Sequence, residues 1–144
     1  GLQPGIKVSY YEAEAWPGNK KLAELKPVEE SVRPRLDLSS RKRSKMFGFI
    51  FAGLFHAPKD GVYTFHMKAE SGSELRVAGE VVIDSKRVTS SHTVPGMVAL
   101  RAGWHPIRLR FLEYGYNDGL ILKWDGPDSK GNDVSPDQLA HLPN

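Results

Sequence analysis

Acid–base work on a glycosidic bond needs two carboxylates facing one another, and this chain offers Glu70, Glu74, Glu80 and Glu113. Nothing in their spacing sets two of them opposite each other, and glutamates scattered over strands and turns are usually solvated. The histidines are His56, His66, His92, His105 and His141, none at the His-x-x-x-His spacing of a metal-binding helix. His56 and His66 flank a turn that could bring them close, but ordinary strand-end histidines are the simpler reading. There is no Gly-x-Ser-x-Gly elbow, phosphate loop or dinucleotide fingerprint, and the serine-rich stretch 85–91 has no evident base. The absence of cysteine excludes a disulfide framework, thiolate catalysis and sulfur-ligated zinc. The domain is therefore not expected to be an enzyme by itself.

Binding is the chemistry that remains. A pyranose is recognised by an aromatic face over its apolar side and by planar polar groups at its hydroxyls. Trp16, Tyr114 and Tyr116 are the candidate aromatics. Tyr114-Gly115-Tyr116-Asn117-Asp118-Gly119 lies in a loop between two strands, and loops on rigid sandwiches often carry binding. The competing role for Tyr114 and Tyr116 is to cap the end of the fold.

Period-2 alternation dominates the elements that must hold these loops. Tyr63, Phe65 and Met67 share one face of a strand, opposite Thr64, His66 and Lys68. Ile107, Leu109 and Phe111 alternate with Arg108 and Arg110, and Leu120, Leu122 and Trp124 with Ile121 and Lys123. The nearly continuous apolar run 46–55 reads as a central strand. Glu74–Val77 and Glu80–Asp84 form a hairpin around Ala78-Gly79, where Asn-Gly would be the stronger turn pair. Residues 6–11 are another strand. The stretch 94–100, interrupted by Pro95 and Gly96, suggests an edge or a bulge. Helix signals are limited to single turns at 19–25 and 136–141. About eight short strands with turns between them argue for an all-β fold, a sandwich or barrel.

The 144 residues suffice for one domain with a single core. The chain has no apolar run long enough to span a membrane and no signal peptide, so it reads as mature protein or a piece of a larger one. The net charge is +3. Basic residues crowd at Lys26, Arg33, Arg35, Arg41, Lys42, Arg43 and Lys45. Such a cluster can attract polyanions, including a sulfated or uronic-acid polysaccharide, but a solvated loop is the favoured reading. Nucleic acid is not expected, because no aromatics are interleaved for base stacking.

The order of elements resembles the anthrax protective-antigen homology domain. Phe47-Gly48-Phe49-x-Phe51-x-Gly53 looks like the family's strand before its central hairpin. Asp60-Gly61-Val62-Tyr63-Thr64-Phe65 is similar to its Gly-x-Tyr-x-Phe strand, and Ser71 to Gly79 with Val82-Ile83-Asp84 to its following hairpin. The pattern from Val98 through Gly103, His105, Ile107 and Leu109 to Glu113 looks like the strand pair that follows, and Leu120-x-Leu122-x-Trp124 like the closing strand. The resemblance covers about residues 6–142 and implies an antiparallel two-sheet β-sandwich.

In yeast flocculins and epithelial adhesins this domain binds sugar through a calcium ion, held by two adjacent aspartates and an asparagine from a later loop. That pair falls on Glu70-Ser71 here, with Asn117 or Asp118 in the asparagine's place. One carboxylate is lost, so the resemblance implies a degenerate calcium site at Glu70 and Asn117 and no dedicated metal or cofactor. The ends, 6–12 and 135–139, resemble copies in secreted bacterial proteins, many of them appended to glycoside hydrolases. The implied function is an extracytoplasmic, non-catalytic carbohydrate-binding module. Its candidate surface is Trp16, Glu70, Ser71, Tyr114, Tyr116, Asn117 and Asp118. The alternative is a structural or protein-interaction domain that packs on a neighbouring domain and binds no sugar.

Overall fold

Alternating side chains set the strands and the two faces of each. The structure is a computed structural model describing residues 1–13, 19–70, 72–115 and 119–143, with side chains undescribed at 19–21. Among the described residues twelve strands follow in order: β1 (Gln3–Pro4), β2 (Ile6–Glu12), β3 (Glu29–Arg33), β4 (Phe47–Ala57), β5 (Gly61–Lys68) and β6 (Glu74–Val77). Then come β7 (Glu80–Ile83), β8 (Val94–Leu100), β9 (Gly103–Glu113), β10 (Ile121–Asp125), β11 (Asn132–Asp133) and β12 (Leu139–His141). Short 3-10 helices lie at Asn19–Glu24 and Pro136–Gln138. The fold is all-β, an antiparallel two-sheet sandwich.

The larger sheet is organised around β4. One edge of β4 pairs along its whole length with β9, from Phe47 opposite Glu113 to Ala57 opposite Gly103. The other edge is shared by β2 and then β12. β3 lies beyond β2 and β1 beyond β12, while β6 and then β7 lie beyond β9. The smaller sheet runs β11-β10-β5-β8.

The facing sides bury the alternating residues the sequence marks: Phe49, Phe51 and Phe55 of β4, Tyr63, Phe65 and Met67 of β5, Leu109 and Phe111 of β9. Phe55 packs edge-on against Phe65, with ring centroids 5.4 Å apart, and against Trp124 at 5.9 Å. The first half of β4 is buried on both faces, which explains its unbroken apolar run. Ile50 points away from the main core into a second cluster with Tyr11, Leu22 and Leu112, onto which Leu25 and Tyr114 pack.

The hairpin forms with Ala78 at φ 55° and Gly79 at φ 79°, the two positive values of a type I′ turn. β8 pairs with β5 alone and in unbroken register, so Pro95 and Gly96 mark an edge rather than a bulge. Gly96 also has a packing reason: a Cβ there would lie 2.0 Å from the Val82 carbonyl oxygen. Main chain meets main chain where β7 crosses β8.

His56 and His66 are ordinary strand histidines, as the simpler reading has it: alternation sends them to the outsides of opposite sheets, where His56 meets Trp104 and His66 meets Asp125. Two expectations are corrected. The C-terminal turn ends at Gln138, and the next three residues become β12 because Leu139 and Ala140 pair with Phe55 and Leu54. Glu70 and Glu113 are not solvated, each being 2% exposed.

Candidate functional site

The turn after β5 and the loop after β9 meet at one end of the sandwich. Glu70 is buried there, and its Oε2 accepts the Tyr114 N–H at 2.5 Å. The Ser73 N–H closes the turn on the Glu70 carbonyl at 3.3 Å. Two further bonds fasten this turn to β9: Leu112 N–H donates to Ser73 Oγ at 3.1 Å, and Arg110 Nε–H to the Gly72 carbonyl at 3.1 Å. Glu113 works the same way within its own loop, accepting the Gly115 N–H at 3.0 Å. A carboxylate buried against backbone donors satisfies groups that would otherwise be orphaned.

Tyr114 is half-buried on the outer cluster of Tyr11, Leu22, Ile50 and Leu112. That burial pushes its hydroxyl pKa above the usual tyrosine value; the Glu70 charge adds to the rise and Arg110 opposes it. Beside the loop, Ala13, Arg43, Ser44, Lys45 and Met46 line a hollow of about 390 Å³. Lys45 packs against the Gly115 turn, where an added Cβ would stand 3.0 Å from the Lys45 Cβ.

The basic segment is a tethered loop. Arg43 donates to the carbonyls of Ala13 and Met46 at 3.3 and 2.9 Å and lies 3.8 Å from Glu12. Lys42 and Arg33 pair with Glu29 at 3.1 and 3.7 Å. The Tyr10 hydroxyl donates to Glu12 at 2.6 Å and accepts the Lys42 N–H at 3.0 Å. Burial and then the Glu12 bond raise the Tyr10 pKa. With these cations committed to the chain's own groups, the segment loses much of its pull on polyanions.

Of the residues singled out from sequence, Glu70 and Tyr114 are brought into direct contact. Trp16, Ser71, Tyr116, Asn117 and Asp118 lie outside the described residues. Sequence reasoning missed Ser73 and the bracing role of Glu113, and it missed Arg43 and Lys45 as walls of a hollow. A glutamate that ends a strand just before Tyr-Gly gives no sign of folding back on the next turn.

Calcium takes six to eight oxygens, several from carboxylates. At the aspartate-pair position this chain supplies one carboxylate, with one oxygen already committed to the main chain. Among the described residues no three or more His, Asp or Glu side chains gather as metal ligands.

The turns thus converge at one end of the sandwich, where the braced start of a loop lies beside a shallow hollow. The model of the PA14 domain family matches residues 2–138, and the chain belongs to that family. No curated protein matches the chain. Among solved structures, an anti-sigma factor domain-containing protein from Clostridium clariflavum is similar over 99% of this chain and 49% of its own, at 18% identity and a TM-score of 0.75. The A domain of epithelial adhesin 6 from Candida glabrata, in complex with Galb1-3GlcNAc, is similar over 99% of this chain and 88% of its own, at 12% identity and a TM-score of 0.76. A β-glucosidase from Kluyveromyces marxianus, in complex with glucose, is similar over 85% of this chain and 15% of its own, at 15% identity and a TM-score of 0.58. At these identities the likeness shows the fold. The chain spans about half the length of the clostridial protein.

Proposed function

We propose that this domain is a non-catalytic carbohydrate-binding module of an extracytoplasmic protein, one domain of a longer chain that includes a glycoside hydrolase or a surface protein. Its glycan contacts would be Trp16, Ser71, Tyr114, Tyr116, Asn117 and Asp118, with the buried Glu70 bracing Tyr114. The observation that carries this reading is the Glu70–Tyr114 bond, which ties the start of the loop after β9 to the turn after β5. An aromatic residue already held in place loses less entropy when it binds. The sugar-bound adhesin of the same fold supports the substrate class, and the β-glucosidase supports an enzyme as the neighbour. No calcium is used in this reading.

The structural, partner-packing alternative draws on one observation. Glu70 is spent on the main chain, so the loop end could be built for rigidity alone. A glycan array followed by calorimetry separates the two. Binding that falls at least about ten-fold in Tyr116→Ala and Trp16→Ala, with the thermal midpoint unchanged, supports the module. An array without hits, or hits that both variants bind as well as the parent, supports the structural reading.

A further inference from the structure

The outer face of the large sheet has a feature that the loop end does not explain. Directly opposed residues of neighbouring strands share a face. One row across this face runs Lys7, Ala52, Arg108 and Arg76 on β2, β4, β9 and β6. The adjoining row on β9 and β6 sets Arg110 opposite Glu74. Glu74 is held by Arg76 at 2.8 Å and lies 3.9 Å from Arg110. Arg108 is exposed and has no carboxylate partner among the described residues.

In the other direction β9 presents Pro106 and then Trp104. The Trp104 side lies against His56, ring centroids 4.9 Å apart at 62°, and the residue remains 38% exposed. At about 3.4 Å per residue, Trp104 and Arg108 stand about 14 Å apart along one straight strand. Leu54 and Pro106, which pair on the neighbouring strands, form the floor between them. This apolar floor ends in Trp104 at one side and in the row of arginines at the other.

We infer that this face binds a carboxylated polysaccharide lying along β9, with a sugar ring on Trp104 and a uronic-acid carboxylate on Arg108. Guanidinium groups grip carboxylates through paired N–H donors, and an exposed indole covers the apolar side of a sugar. The charge is complementary but modest: Lys7, Arg76, Arg108 and Arg110 oppose Glu30 and Glu74 on this face. That suits about one charge per sugar better than a densely sulfated chain. A second copy is disfavoured, because apposed copies would set arginines against arginines. A single aromatic does not make the ladder of stacking platforms that single-stranded nucleic acid uses. This inference stands on the sheet face alone and does not rest on the loop-end proposal.

The test is affinity electrophoresis and calorimetry at low salt, with polygalacturonate, its methyl-esterified neutral form, heparin and duplex DNA as probes. Polygalacturonate is expected to bind, and its methyl ester to bind at least about ten-fold more weakly. Arg108→Gln and Trp104→Ala should each weaken binding about ten-fold, the size of one lost charge-assisted contact, with an unchanged thermal midpoint. Tyr114→Ala should leave this binding intact. The inference is overturned by absent polygalacturonate binding, by heparin or DNA binding as tightly, or by indifference to both face variants. Loss in Tyr114→Ala without loss in Arg108→Gln would also overturn it, while leaving the loop end as the binding surface.

Discussion

Replacing Glu70 by alanine tests whether this carboxylate is a brace or a ligand. Its Oε2 receives the Tyr114 N–H at 2.5 Å in a position only 2% exposed. Glu70→Ala leaves that buried donor without its partner, which costs about 1–3 kcal/mol. Loss of the buried methylene adds about 0.8 kcal/mol. The total is about 3 kcal/mol. Unfolding entropy at about 2.1 cal/mol/K per residue comes to about 0.3 kcal/mol/K for 144 residues. The midpoint should therefore fall by about 10 °C. Glu70→Gln keeps the shape and a carbonyl acceptor, so its loss should be near 1 kcal/mol, about 3 °C. Differential scanning calorimetry with calcium and with a chelator reads both variants. The bracing account expects the same losses in both buffers. A Glu70→Ala midpoint within about 2 °C of the parent, or a loss seen only with calcium, would refute the reasoning.

Two further perturbations probe the frame. Ala78 sits at φ 55° in the first central position of the hairpin turn, where a Cβ is strained; Ala78→Asn should stabilise the domain by about 0.5–1 kcal/mol in urea titration. Asp125 accepts the Gly131 N–H at 2.7 Å and meets His66 Nε2 at 2.9 Å, and these contacts, the first foremost, hold its pKa below the usual carboxylate value. A carboxylate depressed in this way contributes stability above its unfolded pKa near 3.9 and loses it as the pH falls further. Asp125→Asn should therefore flatten the acid-side fall of the melting midpoint, and an unchanged pH profile would count against the bonds.

Alternation made the sheets legible. Tyr63, Phe65 and Met67 are buried as a set because a strand half-covered by a core has no other way to place them. The polar strands were harder. β3 reads Glu-Glu-Ser-Val-Arg, and nothing local marks it; its conformation comes from pairing with β2 across five residues. β12 looks locally like the end of a turn, because the pairing with β4 that makes it a strand is long-range. At the candidate site, the sequence marked Glu70 and Tyr114 as neighbours in function but not the direction of their bond. Burial of Glu70 and Glu113 was hidden, since a glutamate is expected in water unless a backbone donor awaits it, and such donors are a property of the folded turn. The exposed row of Arg108 and Arg76 needed the strand register, which joins residues from separate parts of the chain.

The central claim is that the loop end is a sugar-binding surface, and amide chemical-shift mapping reads that surface directly. The nitrogen-labelled domain would be titrated with the best neutral oligosaccharide from the array. The account predicts shifts concentrated at residues 70–73 and 112–119, saturating with added sugar and unaffected by a chelator. Shifts scattered without saturation, shifts centred elsewhere in the sandwich, or none at all would contradict it.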